Sequence, residues 1–418
     1  MRSLAWLCPL LFTLPAQAQV AWTVDDDGPA DFNSIQGAID VAGDGDLIIV
    51  EPGAYTFATI SGKGLSLVAK GTATLTSSIL VFPGQPALLV QDVPAGSTVH
   101  VRGFDCSQAF GTDLQTALLE NNAGAVSIED CTFGGDGPSM VVRDSASVTF
   151  RGVSIDSPDA FVDTAFGLPS DRYDGVAAES SNLFFYDSQV TGGDGVGSGF
   201  SFFFSTPWSH VDGGAAVRLE GGSLLASGCN FTGGNGLPNS EANCEEGGAG
   251  GSAIALFGGA QGTLQDNLLA PGVGGSGSCG NPDGPAGLPV EVDTESSALL
   301  YFILSRSGSV EAVAEAGAPF QSELSGQPGD QVFAAISPGF GPGLPIPGTA
   351  LAQHVLAGFE LFPVGVIPAG GELNPTFFAP PLPIGFEAQA VHAQFLFFDG
   401  FQFHEAGLTT LTVVNGQL

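Results

Sequence analysis

The feature that most constrains the fold is a repeat punctuated by glycine-rich turns. Four such turns begin at residues 134, 192, 233 and 274, so their starts lie 58, 41 and 41 residues apart. Before three of these turns the residues alternate between apolar and polar in the same pattern. The same pattern occurs once more between the first and the second turn. Alternation at a period of two residues indicates half-buried strands. The equivalent positions are Val126, Ile128, Cys131 and Phe133, then Val148, Phe150, Val153 and Ile155, then Leu183, Phe185, Ser188 and Val190, and finally Leu224, Ala226, Cys229 and Phe231.

A short strand that recurs every ~20–25 residues is what a solenoid of stacked β-coils requires. One coil cannot bury its apolar side alone, whereas stacked coils share a continuous core and place like residues above one another. The longer spacings predict coils that carry lateral loops of ~10–20 residues. Glycine and proline number 62 and 28 among 418 residues, which also favours an all-β chain rich in turns.

A short helix is predicted ahead of the repeats. Ile35, Ala38, Ile39 and Ala42 fall on one helical face. Such a helix is expected to cover the open apolar end of a solenoid, because terminal coils need a cap. The apolar run at residues 47–50 then predicts the first buried strand.

Residues 22–70 also carry a family resemblance. The matching stretches are Trp22-Thr23-Val24, Phe32-Asn33-Ser34-Ile35-Gln36-Gly37-Ala38-Ile39-Asp40, Gly43-Asp44-Gly45-Asp46, Pro52-Gly53-Ala54-Tyr55 and Ile60-Ser61-Gly62-Lys63-Gly64-Leu65-Ser66-Leu67. This opening is similar to that of the pectin-lyase-like superfamily, which includes pectinesterases and pectate lyases. The resemblance implies a right-handed parallel β-helix with an N-terminal helical cap, and it points to carbohydrate as the ligand class by analogy of fold alone.

Composition predicts three further boundaries. Arg2, an apolar run over residues 4–14 and Ala16-Gln17-Ala18 are typical of a secretory signal peptide over residues 1–18, so we expect a secreted or cell-surface protein. The β-helix is expected over residues 19–285, and a linker over residues 286–297. The apolar segments at 299–304, 394–398 and 409–414 predict a small antiparallel β-sandwich over residues 298–418.

Charge narrows the range of partners. The formal net charge is −34, with only nine lysine and arginine residues. Nucleic acids and anionic lipid surfaces are bound by cationic side chains, so both are excluded as partners. No apolar run reaches the ~18 residues of a membrane span. The acidity also disfavours a polyanionic ligand unless cations bridge the two.

Five cysteines follow the expected cleavage site. In an oxidising compartment we predict the pairs Cys106–Cys131 and Cys244–Cys279, with Cys229 buried and free.

Three groups of residues are candidates for chemistry. Asp136, Asp194 and Asn235 lie in the glycine-rich turns and could offer oxygen ligands to calcium on adjacent coils. The alternative is plain turn chemistry, since Gly197 stands where calcium-binding β-roll repeats would carry a further aspartate.

The second group is an acidic insertion around Arg172. Asp163 and Asp171 could act as acid and base on a glycoside, and Arg172 could assist β-elimination. The alternative is a solvated loop. The third group is aromatic: Tyr173 in this insertion and Trp208 in the phenylalanine-rich segment 200–210 could stack on sugar rings. The alternative is that this segment packs onto the coils.

The residues do not disclose a catalytic activity. The Arg-Pro-Trp segment of pectinesterases and the Gly-His-Gly signature of polygalacturonases have no counterpart in this sequence. We therefore predict a non-catalytic exported β-helix protein for surface binding or adhesion, with polysaccharide as the ligand class. A divergent polysaccharide lyase, esterase or glycoside hydrolase is the alternative.

Overall fold

A computed structural model describes residues 19–77, 85–107, 115–135, 139–158, 174–195, 212–238, 246–301, 305–337, 339–345, 352–355, 359–382 and 386–415. These residues form one helix and many strands, so the described part of the chain is nearly all β. Most strands lie in one long parallel sheet, and the remainder form smaller sheets after residue 305. The all-β prediction is confirmed.

The long sheet contains 22 described strands. The first eleven are β1 (Ala21–Val24), β2 (Asp46–Val50), β3 (Gly53–Thr56), β4 (Ala58–Ser61), β5 (Leu65–Thr76), β6 (Leu88–Gln91), β7 (Thr98–Ser107), β8 (Ala117–Glu120), β9 (Ala125–Glu129), β10 (Thr132–Gly134) and β11 (Met140–Arg143). The others are β12 (Ser147–Arg151), β13 (Ser154–Asp156), β14 (Val176–Tyr186), β15 (Gln189–Thr191), β16 (Val217–Ser227), β17 (Asn230–Thr232), β18 (Ile254–Phe257), β19 (Gln261–Gln265), β20 (Leu268–Ala270), β21 (Val290–Val292) and β22 (Ser297–Tyr301).

Each strand pairs in parallel with a strand of the next coil, which is consistent with a β-solenoid. One stack of strands, called stack one here, runs β1, β2, β5, β7, β9, β12, β14, β16, β19 and β22. The predicted equivalences are confirmed by its register, because Val148 pairs with both Val126 and Leu183. On a neighbouring stack Val190 pairs with Ile155 and Phe231.

Aromatic rings fill the interior of the coils in the middle of the stack. Phe150 and Phe185 stack with ring centroids 4.6 Å apart, and Phe231 meets Phe185 edge-on at 5.7 Å. All three side chains are fully buried. Since burying each large apolar side chain contributes about 1.5–3 kcal/mol, this row is a main source of coil-to-coil cohesion.

A corner next to stack one is built from left-handed residues on successive coils. Asp130, Gly152, Asp187, Gly228 and Asp266 have φ angles of 52°, 60°, 50°, 67° and 48°. Each donates its backbone N–H to a carbonyl on the following coil. Glycine and aspartate adopt this conformation at lower cost than other residues, which explains why only these two types occur here. The corner fixes the position of Asp187.

The helix, α1 (Ile35–Val41), begins at Ser34, whose Oγ accepts a hydrogen bond from Gly37 N at 3.3 Å. Ile35, Ala38 and Ile39 are buried in the solenoid core as the sequence predicts. The first strand was expected at residues 47–50, but β1 precedes it and pairs with β2.

The parallel ladder extends further than the sequence predicts. β21 and β22 pair with β18 and β19, so the ladder continues through residues 286–297 and reaches Tyr301. The described ladder thus runs past residue 285, where the sequence predicts the end of the coils. Glycine and proline between 272 and 289 mark lateral turns, and the apolar segment near 299 belongs to stack one.

Residues after 305 form three smaller sheets. Their strands are β23 (Ser307–Val310), β24 (Val313–Glu315), β25 (Pro319–Ser325), β26 (Gln331–Ser337), β27 (Phe340–Pro345), β28 (Ala352–Val355), β29 (Glu360–Val366), β30 (Glu372–Leu373), β31 (Thr376–Phe378), β32 (Ala388–Phe398) and β33 (Phe403–Val414). β23, β25, β30 and β31 form one sheet, β24, β33, β32, β26 and β29 a second, and β27 and β28 a hairpin pair. The first two sheets share an apolar core that includes Leu324, Phe395 and Phe397.

The C-terminal sheets cover the outer face of stack one. Leu47 and Ile49 pack against Ala388 and Val414, and further along the stack Phe184 packs with Ala352. β33 is buried from its second residue onward. No helix in the described part of the chain is long and apolar enough to cross a membrane.

The predicted Cys106–Cys131 disulfide is wrong. Both thiols are free and buried, because the register places Cys106 opposite Phe133 instead of Cys131. Phe104 N donates to Cys131 Sγ at 3.4 Å. Cys229 is buried and free, as predicted. The Cys244–Cys279 pair stays a prediction, since Cys244 lies outside the described residues.

Candidate functional site

Polar side chains on the outer face of stack one are buried by the C-terminal sheets. The alternation of apolar and polar residues in the sequence predicts polar side chains on this face. Here His100, Arg102, Glu129 and Arg151 occupy it on three successive coils, and each is at most 5% exposed. A buried charge needs a partner, so the arrangement of these groups determines whether the interface is stable.

Glu129 is the centre of this cluster. Its Oε1 accepts from Arg151 Nη2 at 2.7 Å and from Thr409 Oγ1 at 2.7 Å, while Thr410 N donates to Oε2 at 3.1 Å. His100 Nε2 lies 3.1 Å from Oε2. Burial alone would raise the pKa of Glu129, but Arg102, Arg151 and His100 hold it well below its usual range. The carboxylate is therefore ionised, and both of its oxygens accept hydrogen bonds from protein donors.

A second buried group lies one coil further along. Tyr186 Oη donates to Glu405 Oε1 at 2.7 Å and lies 2.9 Å from His354 Nε2. Gln394 Nε2 donates to Glu405 Oε2 at 2.7 Å. Burial raises the pKa of Glu405 to about 8 and lowers that of His354 to about 3. Neither group has an ion-pair partner in the described part of the chain, so desolvation outweighs their hydrogen bonds.

A polar cleft of about 430 Å³ opens between stack one and the C-terminal sheets. From the solenoid it is lined by Arg151 and Asp187, and from β23 and β25 by Ser307, Ser309, Glu323, Leu324 and Ser325. Glu372 and Asn374 complete the wall. The volume lies within the range of small-ligand pockets.

Asp187 is the unusual residue of this cleft. It holds a left-handed backbone at φ 50°, and its backbone N–H donates to Ser227 O at 3.1 Å. Its Oδ2 is buried and has no hydrogen-bond partner among the described residues. Burial raises the pKa of Asp187 to about 7, although Arg151 acts in the opposite direction. A carboxylate with these properties can accept a further hydrogen bond, and it can also hold a proton near neutral pH.

Most residues singled out in the sequence lie outside the described part of the chain. This applies to Asp163, Asp171, Arg172 and Tyr173, to Trp208, and to Asp136. Their proposed roles in acid–base chemistry, sugar stacking and calcium binding stay predictions.

Asp194 and Asn235 lie on adjacent coils, as the turn repeat predicts. Asp194 Oδ1 accepts from Asn235 N at 2.6 Å, and Asp194 Oδ2 lies 3.3 Å from Asn235 Nδ2. Asn235 Oδ1 in turn accepts from Val273 N at 3.1 Å. These oxygens are thus engaged by N–H donors that link one coil to the next.

Asp187 was missed because its surroundings in sequence are those of a turn. Asp130 and Asp266 share its backbone conformation and its place in the coil, and only the packing of β23 and β25 distinguishes it. One feature of the sequence could have indicated this site. Charged residues, Arg102, Glu129 and Arg151, recur at equivalent strand positions in a chain with few cations. A group of three carboxylates, those of half-buried Asp25 and exposed Asp26 and Asp27, also comes close enough to meet one cation.

Fold and cleft together define an all-β protein whose long parallel sheet is consistent with a β-solenoid and whose C-terminal sheets enclose a polar cleft beside it. No protein-family model matches the sequence, and no curated protein matches it either.

Proposed function

We propose that this chain is an exported polysaccharide-binding protein that acts at a cell surface or in the extracellular space without catalysing a reaction. In this proposal residues 1–18 are a signal peptide. The coils form a right-handed β-helix of the pectin-lyase-like kind, α1 caps it, and the C-terminal sheets form a sandwich attached to its flank.

The observation that carries the proposal is the cleft beside Asp187. Its lining combines hydroxyl and amide groups with carboxylates, and sugar hydroxyls hydrogen-bond to both kinds of group. Asp187 lines this cleft and its Oδ2 is buried without a partner among the described residues, so a bound hydroxyl or amine that meets the carboxylate at the cleft wall would offset the cost of its burial. The left-handed corner and the stacked coils hold this oxygen on a rigid scaffold, which limits the entropy lost on binding.

Binding is tested by co-sedimentation of the mature chain, from Gln19 onward, with a panel of neutral, acidic and amino polysaccharides. We expect retention by at least one class and a loss of about tenfold in affinity for the double variant Asp187→Asn, Glu372→Gln. Asp144→Asn is the matched control, because Asp144 has the same left-handed backbone but is exposed and lies outside the cleft. If no polysaccharide retains the protein, or if all three proteins bind equally, the proposal is wrong.

A hydrolase, esterase or lyase is the second candidate, and the pKa of Asp187, raised to about 7 by burial, favours it. A carboxyl group with such a pKa suits a general acid at neutral pH, and Glu323 or Glu372 in the same cleft would be its basic partner. Release of new reducing ends or unsaturated uronates from the same panel would show catalysis, and an enzymatic function would then replace the non-catalytic proposal. Loss of product in Asp187→Asn would assign the reaction to the cleft, whereas loss in Asp163→Ala or Asp171→Ala would assign it to the acidic insertion.

A further inference from the structure

We infer that the cleft recognises a protonated amino group carried on a sugar, so that the ligand class is an amino-sugar glycan. This inference rests on the proposed polysaccharide binding and specifies its chemistry.

The charge of the cleft favours a cation. Among the described residues three carboxylates line it, those of Asp187, Glu323 and Glu372, against one guanidinium, that of Arg151. That guanidinium is already engaged, since its Nε and Nη2 donate to Glu129 Oε1 at 3.1 and 2.7 Å and Asp130 Oδ1 lies 3.7 Å away. The positive charge of Arg151 is therefore balanced by the carboxylates of Glu129 and Asp130, which do not line the cleft. The remaining field at the cleft surface is negative, as is that of the whole chain.

Asp187 supplies the contact that an ammonium group fits. Arg151 acts on Asp187 through space but forms no ion pair with it within the salt-bridge distance, and Asp187 Oδ2 has no donor among the described residues. An ammonium group in the cleft carries three N–H donors and a positive charge, so it would form a charge-assisted hydrogen bond with the part of the Asp187 carboxylate that lines the wall and offset its charge. A neutral hydroxyl offers one donor and no charge. A uronate would bring a further negative charge toward three carboxylates.

The lining also offers groups that suit a sugar. Ser307, Ser325 and Asn374 have hydroxyl and amide groups that match the ring hydroxyls around a sugar amine.

The test compares three short glycans of equal length by calorimetry with the mature chain, at about 0.15 M salt to screen the general acidity of the protein. The first is an oligomer of N-acetylated hexosamine, the second is its fully deacetylated form, and the third is a uronic acid oligomer. A lysine oligopeptide of the same charge as the deacetylated glycan is the fourth ligand. We expect the deacetylated glycan to bind at least tenfold more tightly than the other three.

Variants separate the cleft from general charge. Asp187→Asn should weaken binding of the deacetylated glycan at least tenfold, while Asp144→Asn, which removes the same charge from the same backbone conformation at an exposed corner, should leave it within twofold. An equal loss in both variants would show attraction by net charge alone and overturn the inference.

The other outcomes are equally decisive. The acetylated or the uronic oligomer could instead bind more tightly and lose this binding in Asp187→Asn. That result would overturn recognition of an amino group but keep polysaccharide binding at the cleft. Equal or tighter binding of the lysine peptide would replace the glycan with a basic protein partner. Binding of none of the four ligands, together with no retention by the polysaccharide panel, would overturn both proposals.

Discussion

Glu129 Oε1 accepts two hydrogen bonds from Arg151, from Nε at 3.1 Å and from Nη2 at 2.7 Å, in an interface where both side chains are at most 5% exposed. The relationship follows from strand register. Glu129 and Arg151 are partners across β9 and β12, and the pleat turns both side chains outward from the solenoid. Thr409 and Thr410 of β33 then close the cluster from the other side. A polar face on the solenoid and a hydroxyl-rich strand thus hold the two parts of the molecule together.

Removal of the charge on Glu129 should destabilise the folded protein strongly. In Glu129→Gln the guanidinium groups of Arg102 and Arg151 lose their shared buried carboxylate, and breaking a buried pair costs about 3–5 kcal/mol. We expect a loss of that size in the free energy of unfolding, measured by urea denaturation. Because Asp130 Oδ2 also lies 2.8 Å from Arg102 Nη2, the loss should lie at the lower end of that range.

The matched control is Glu220→Gln. Glu220 pairs with Arg218 at 2.8 Å, but its side chain is 51% exposed, so its removal should change stability by no more than about 1 kcal/mol. Equal effects of the two variants would mean that the interface cluster is not energetically distinct from a surface pair.

The coil positions were predictable because stacked strands leave a repeated pattern in the sequence. Val126, Val148, Leu183 and Leu224 lie at one position of successive coils, and each is buried in the structure. Repetition therefore identifies the inward face of a solenoid from one sequence. The extent of the ladder was harder to predict, because the glycine-rich stretch before β21 resembles a linker although it forms the lateral turns of a coil.

The candidate site was not predictable in the same way. His100 and Arg102 alternate with buried residues as solvent-facing residues would, and the C-terminal strands β23, β32 and β33 make them interior. The predicted disulfide between Cys106 and Cys131 was wrong for a related reason. A separation of 25 residues matches one coil approximately, yet a shift of two positions along the strand places Cys131 beneath Phe104 and keeps the thiols of Cys106 and Cys131 unbonded. Contacts between distant elements and exact register are both set by packing, which a single sequence does not encode locally.

Glu405 should make stability depend on pH. Burial raises its pKa in the folded protein to about 8 from an ordinary value of 4.5. The folded state then holds the proton more tightly than the unfolded state, so the contribution is fully present below pH ~4.5 and is lost as pH rises through about 8. We expect the free energy of unfolding to fall between pH 5 and pH 8.5 by a few kcal/mol, roughly as the pKa difference implies.

Glu405→Gln removes this titration and should make the pH profile less steep over the same range, leaving the part that Asp187 contributes, with Glu220→Gln again as the exposed control. Tyr186 and Gln394 donate to Glu405. His354 contacts Tyr186 Oη and, with a pKa lowered to about 3, stays neutral throughout. A profile that is equally steep in Glu405→Gln would show that another group governs the dependence.

The three free cysteines should be unreactive in the folded protein. Cys106, Cys131 and Cys229 are buried, and burial raises the pKa of Cys131 and of Cys229 to about 12. The thiolate is the reactive form, so neither access nor ionisation supports alkylation. We expect iodoacetamide to label these three positions only after denaturation, as mapped by mass spectrometry of the peptides. A disulfide-linked peptide joining Cys106 to Cys131 would contradict the register of β7 and β10.

Neutralising Asp187 should stabilise the protein at high pH and not at low pH. Burial raises the pKa of Asp187 to about 7 from 3.8, so the ionised carboxylate is unfavourable in the folded state above that pH. Arg151 faces Asp187 and partly offsets the cost, whereas Glu323 and Glu372 in the same cleft add to the negative charge. We expect Asp187→Asn to gain about 2–4 kcal/mol in the free energy of unfolding at pH 8.5 and close to nothing at pH 4. Asp144→Asn, which keeps the left-handed backbone at an exposed corner, should show no such difference between the two pH values. A loss of stability in Asp187→Asn at pH 8.5 would mean that Arg151 holds the carboxylate ionised, and the cleft would then lack the unsatisfied acceptor on which amine recognition depends.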